Sequence, residues 1–133
     1  MYTSEIQHDG RKILYTNYTH LSEDQMIAAI HEAYDLIRES PYKVLTLSDF
    51  THTVVSNDFV ETAKILVSKY GHRIEKSAVI GITGLKEVLL LSYNTSAIVP
   101  AQPFCTKEQA IRYLTQGKNE CMAKYPKFYA STR

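Results

Sequence analysis

The sequence predicts a single α/β domain on a mixed β-sheet of about five strands, with elements in the order ββαβαβαβα. Three observations carry this reading. From residue 22 onward, short strand-like runs alternate with longer stretches of helical periodicity, which implies parallel strands joined by right-handed crossovers. An Asp9-Gly10 pair separates two strand-like runs at the start and adds an antiparallel edge, because Asp-Gly readily takes the positive φ angles of a hairpin turn. The 133 residues, 44% of them hydrophobic and 22% charged, also suffice for one core without help from disulfides or metals.

Taken in order, Ser4–Gln7 and Lys12–Tyr18 are the hairpin strands. Ser22 and Gln25 form a capping-box pattern, with Glu23 and Asp24 suited to the positive end of the helix that follows. In that helix Met26, Ile27, Ile30, Tyr34 and Ile37 share a face, and Pro41 ends it near Glu39. Lys43–Asp49 is a buried strand, and a polar loop follows over Thr51–Ser56. A second helix opens at Ser56-Asn57-Asp58, carries Phe59, Ala63, Leu66, Val67 and Tyr70 inward, and stops at Gly71. Ser77–Ile82 is the next buried strand, and Thr83-Gly84 turns into a third helix over Leu85–Asn94 with Leu85, Val88 and Leu89 toward the core. After Pro100 and Pro103 come a short strand at Phe104-Cys105 and a last helix capped by Thr106, with Ala110, Ile111 and Leu114 inward. From Gln116 the chain is polar and contains Pro126. The domain is therefore expected to span residues 1–115, with 116–133 as a short extra helix or loose extension.

Charge and composition exclude several functions. The formal net charge is +1, from 15 basic and 14 acidic side chains, which argues against a nucleic-acid binder that would need clustered Lys and Arg. No apolar run approaches the roughly 20 residues that span a bilayer, so no stable membrane insertion is expected. The start of the chain lacks the pattern of a signal peptide and only two cysteines occur, so a reducing, cytoplasmic compartment is expected. His8, His20, His31, His52 and His72 are scattered without ligand spacing, and neither a metal site nor a cofactor is expected.

Two segments resemble a known family. Arg73-Ile74-Glu75-Lys76-Ser77-Ala78-Val79-Ile80-Gly81 looks like the fourth-strand signature of the STAS-like (SpoIIAA-like) proteins, named after bacterial anti-sigma factor antagonists. Phe104 followed by Lys107-Glu108-Gln109-Ala110-Ile111-Arg112-Tyr113-Leu114 resembles their closing strand and helix, and the element order matches to about Leu114. The resemblance implies a non-enzymatic regulatory or protein-interaction module with a protein partner. In a related branch with lipid-transfer-like folds, it implies a carrier of a small apolar ligand or lipid. In the regulatory branch a serine opening the helix after strand three is phosphorylated within an Asp-Ser-Ser-Gly-like motif. Val55-Ser56-Asn57-Asp58 keeps only Ser56 of it.

Two candidate sites follow. The loop holding Asp49, His52, Ser56 and Asp58 is a phosphoacceptor or partner-contact site, since a helix start favours anions, although Asp58 and Glu61 would repel a phosphate and capping is the ordinary role of Ser56. The same loop would serve a small hydrolase or transferase, but the spacing of Asp49, His52 and Ser56 does not require contact, and no Gly-x-Ser-x-Gly elbow occurs. Gly81-Ile82-Thr83-Gly84 sits where a phosphate loop would, yet lacks the fuller motif and reads as a tight turn. The second candidate is the broad apolar arc of the third helix and its sequel. Leu90, Leu91, Tyr93 and Ile98 extend it beyond what a core face needs, which means complete burial in the first place, then a homodimer surface or the wall of an apolar ligand pocket.

Overall fold

A computed structural model describes residues 1–116. The expected extension at 116–133 therefore lies, apart from Gln116, outside the described residues. Strands β1 (Thr3–His8) and β2 (Arg11–Asn17) form the antiparallel hairpin. Its turn residues Asp9 and Gly10 have φ of 52° and 75°, the left-handed pair that a two-residue hairpin requires. Helix α1 (Glu23–Glu39) starts on the anticipated capping box: the Ser22 hydroxyl accepts the Gln25 N–H, and the Gln25 side chain accepts the Ser22 N–H at 2.9 Å. Its last carbonyls are satisfied from afar, because the Arg73 guanidinium donates to the Ile37 carbonyl at 3.1 Å and to that of Ser40.

Strand β3 (Val44–Asp49), helix α2 (Asn57–Tyr70), strand β4 (Ile74–Ile80), helix α3 (Leu85–Asn94), strand β5 (Ala101–Phe104) and helix α4 (Lys107–Gln116) follow within the described residues. The sheet order is β1-β2-β3-β4-β5, antiparallel at the hairpin and parallel thereafter. Helices α1, α2 and α3 lie on one face of the sheet, and α4 lies on the other over Ile13, Leu45, Leu47, Ala78, Ile80 and Phe104. Alternation along the strands sorts the side chains: Leu45 and Leu47 meet α4, whereas Thr46 and Ser48 face the three-helix side.

Several details differ from the sequence reading. Strand β4 begins at Ile74 rather than Ser77, after a 3-10 turn over Gly71–Arg73. Gly71 has a helical φ of −61° instead of the left-handed cap, and its lack of a side chain matters through Val67 Cγ2, which would stand 3.0 Å from an added Cβ. Strand β5 lies earlier than Phe104-Cys105 and contains Pro103, which is tolerated because an edge strand pairs on one side only.

The largest correction concerns α3. Leu85 and Val88, assigned to the core by spacing, are 71% and 60% exposed, while Leu90 and Asn94 are buried. The Asn94 side chain fixes that rotation: its amide donates to the Ala101 carbonyl at 3.1 Å and its carbonyl accepts the Ala101 N–H at 3.0 Å. With Asn94 clamped to β5, positions 86, 89, 90 and 93 turn inward at helical spacing.

Candidate functional site

A cavity of about 110 Å³ lies between the sheet and helices α1, α2 and α3. Its origin is visible in the register. On the face beneath the helices, β2, β3 and β4 present Thr16, Thr46, Ser48 and Ser77, with Thr16 opposite Ser48 and Thr46 opposite Ser77. These side chains stand lower than leucine or phenylalanine and leave the overlying helices out of contact across the centre of the sheet. The hydroxyls also pair among themselves, Thr46 donating to Ser77 at 2.9 Å and Thr3 meeting Thr16 at 2.9 Å. The floor is thus a polar row flanked by apolar walls.

The roof comprises Ile30, Ala33 and Tyr34 of α1, Phe59 and Ala63 of α2, and Leu89, Leu90 and Tyr93 of α3. Three aromatic rings close the end at the C-terminal edge of the strands. Tyr18 stacks on Phe50 at 4.6 Å, and Phe59 meets both rings edge-on at 5.4 and 5.8 Å. Burial pushes the Tyr18, Tyr34 and Tyr93 phenols up from their ordinary range, so all three remain neutral donors at physiological pH.

Among the described residues, one charged side chain lines the cavity, Lys86 of α3. Its ammonium donates to the Phe50 carbonyl at 2.9 Å. Loss of water on partial burial pulls its pKa below the ordinary lysine value, with the Asp49 charge acting in the opposite sense. The Gly81–Gly84 turn gives Lys86 this reach. Gly81, at φ +80°, packs against the β3–α2 loop so closely that a Cβ would stand 2.4 Å from the Thr51 nitrogen, and Gly84, at φ +61°, starts the helix. The turn therefore serves a close approach of two backbones.

The Asp49–Ser56 loop does not assemble a reactive set. Asp49 points to the opposite face of the sheet, where its carboxylate accepts the Tyr15 hydroxyl at 3.1 Å and the Thr51 N–H at 2.9 Å. His52, at φ 55°, stacks on His20 with ring centroids 5.4 Å apart. The Ser56 hydroxyl accepts the Phe59 N–H at 3.1 Å as the α2 cap and donates to the Glu23 carboxylate. Asp58 stands exposed in the first turn of α2, where its carbonyl accepts the Thr62 hydroxyl. Of the apolar candidates, Leu90 and Tyr93 line the cavity, Leu91 is half-buried beside Val79, Ile82 and Ala101, and Ile98 is 66% exposed on the following loop. Among the described residues, no group of three or more His, Cys, Asp or Glu side chains could hold a metal ion. No helix among them is long and apolar enough to cross a membrane.

The fold is SpoIIAA-like. The chain superimposes, with a TM-score of 0.55, on the crystal structure of an uncharacterized protein of the DUF3478 family with a SpoIIAA-like fold from Shewanella loihica PV-4. The two sequences are 19% identical, and the match covers 84% of this chain and 91% of that one. No protein-family model matches the chain, and no curated protein matches it.

Sequence reasoning missed Thr16, Thr46, Ser48, Ser77, Lys86 and Asn94. One signal was present: Thr46 and Ser48 alternate with Leu45 and Leu47, which places two hydroxyls on one buried face of a central strand.

Proposed function

We propose that the protein is a non-enzymatic binding module that takes up one small, mostly apolar molecule between its sheet and its three-helix layer. The observation that carries this reading is the cavity of about 110 Å³. On the scale by which a cavity of about 150 Å³ binds benzene, it accommodates an apolar body of roughly four to six non-hydrogen atoms. Its concave, aromatic-rich wall with a few convergent polar groups is the usual form of a small-molecule site. The absence of contact among Asp49, His52 and Ser56 removes the support for turnover at that loop.

The test uses benzyl alcohol and hexan-1-ol as neutral probes in ligand-observed NMR, alongside native mass spectrometry of the purified protein. Saturable binding by the wild type, lost in Ala63→Leu, supports the reading; Ala63 is 4% exposed and lines the cavity, so the added methylenes occupy it. Equal signals from wild type and Ala63→Leu, or none from either, refute it.

A second reading, contact with a partner protein or with another copy, draws on the outer side of α3 and its following loop. There Leu85, Val88 and Ile98 are 71%, 60% and 66% exposed. Light scattering of wild type and Leu85→Glu/Val88→Glu reports on the homodimer version: a monomer at all concentrations removes it.

A further inference from the structure

Starting from the cavity reading above, we infer that the ligand is a small monoanionic acid whose carboxylate is bound by the Lys86 ammonium at the cavity wall, with its apolar body between the hydroxyl floor and the Tyr34–Tyr93 roof. The electrostatics of the lining lead there. Among the described residues, Lys86 is the one ionic side chain in it, and no acid contributes to it. An ammonium has three donors, and one is used on the Phe50 carbonyl at 2.9 Å. Among the described residues, no ion pair of Lys86 with a carboxylate is present within 4 Å. Asp49, whose charge acts on Lys86, has its oxygens engaged by the Tyr15 hydroxyl and the Thr51 N–H on the other side of the strand. Glu32, whose charge reaches Tyr18, accepts the Tyr2 and Thr3 N–H groups at 2.9 and 2.7 Å. A partly buried cation with no ion pair among the described residues favours an anion from outside, and the neutral phenols of Tyr18, Tyr34 and Tyr93 in the same lining add no competing negative charge.

Size and charge narrow the class. With room for an apolar body of roughly four to six non-hydrogen atoms, the cavity suits a short-chain or single-ring carboxylic acid with its carboxylate at the Lys86 wall, and excludes a long acyl chain held entirely inside. One ammonium matches one negative charge, whereas a phosphate monoester or dicarboxylate would leave charge unpaired among apolar walls. The wider depression at the other end of the strands, about 630 Å³, offers no rival anion site. Its basic side chains Arg11, Lys12 and Lys43 share the lining with the acids Glu5, Glu39 and Glu75, and Arg11 pairs with Glu75 at 2.7 Å and Lys12 with Glu5 at 3.5 Å.

The experiment compares matched probes: benzoate with benzyl alcohol and hexanoate with hexan-1-ol, titrated by ligand-observed NMR into wild type, Lys86→Met and Lys86→Arg, with circular dichroism confirming each fold. Charge-assisted hydrogen bonds set the expected scale, with acids binding wild type about tenfold tighter than their alcohols or better. Lys86→Met should remove that preference while leaving alcohol binding unchanged, and Lys86→Arg should keep most of it. Equal binding of acid and alcohol to wild type overturns the inference and leaves the cavity reading intact. A preference that persists in Lys86→Met also overturns it, since the charge would then act elsewhere. Failure of every probe to bind overturns both. If Lys86→Met does not fold, the wild-type ratio and Lys86→Arg still decide the matter.

Discussion

Replacing Gly81 with alanine tests the geometry that places Lys86. Gly81 lies at φ +80°, where an L side chain is strained, and backbone placement of that kind costs about 1–3 kcal/mol. The added Cβ would also stand 2.4 Å from the Thr51 nitrogen and 2.7 Å from both the Phe50 carbonyl carbon and the Thr51 Cα. These are backbone atoms and cannot rotate away, so the β3–α2 loop must shift, an overpacking penalty of about 1–3 kcal/mol more. The total, about 2–6 kcal/mol, is a large share of the 5–15 kcal/mol typical of a domain. Gly84→Ala is the control, because Gly84 has a positive φ of 61° but nothing within 4 Å of the added Cβ, so it carries the strain alone. Urea denaturation followed by circular dichroism should place Gly81→Ala below Gly84→Ala in midpoint at unchanged slope. A Gly81→Ala protein as stable as Gly84→Ala would refute the close-approach reasoning, and with it the account of how the turn positions α3.

Three further outcomes follow from the same contacts. Asn94→Ala strips the Ala101 N–H and carbonyl of their partners and should cost about 2–4 kcal/mol, with hydrogen exchange at β5 rising ahead of the rest of the sheet; uniform exchange would contradict the clamp. Ser56→Ala removes the α2 cap and should cost about 1 kcal/mol in denaturant, and a neutral result would count against capping as its role. In alkali, burial followed by the Asp49 charge and hydrogen bond pushes Tyr15 up to about 12 from 10, and burial raises Tyr18, Tyr34 and Tyr93 as well. The folded state therefore favours the protonated phenols, and the contribution of Tyr15 is complete below pH 10 and lost as pH rises from there through 12. Absorbance titration should show at least four of the ten tyrosines unionised at pH 10 while circular dichroism stays native, and simultaneous ionisation of all ten in the folded state would refute this.

Much of the architecture was legible because it is written in local periodicity. Asp9-Gly10 fixed the hairpin, Ser22 and Gln25 fixed the start of α1, and the alternation of apolar runs gave the element order. What failed depended on contacts distant in sequence. The facing of α3 was misread because a helix with apolar residues around much of its circumference has no preferred side by spacing alone; the buried amide of Asn94, gripping a strand seven residues away, decides it. The Asp49–Ser56 loop invited a catalytic reading only while its partners were invisible. Tyr15, His20 and Glu23, which engage Asp49, His52 and Ser56, all come from earlier elements. The cavity was hidden for the same reason, since its floor is assembled one or two residues at a time from three strands and exists only in the register of the sheet.

That floor separates a binding site from a packing defect. A void of 110 Å³ in a dry core would cost about 2–3 kcal/mol at roughly 24 cal/mol per Å³, and natural voids of that origin are lined by aliphatic side chains. Here Thr16, Thr46, Ser48 and Ser77 contribute hydroxyls from below, paired as Thr3–Thr16 and Thr46–Ser77, while phenols and an ammonium come from above and the side. Ordered water or a ligand can use the hydrogen-bonding capacity that these pairs leave over. Water satisfies hydroxyls and phenols equally well, but it carries no charge to answer Lys86, and it gains nothing from the stacked rings of Tyr18, Phe50 and Phe59 at the closed end. A molecule with an apolar body and one negative head meets both conditions, and so the position of a single lysine on α3 turns a general argument about an occupied cavity into a specific one about charge.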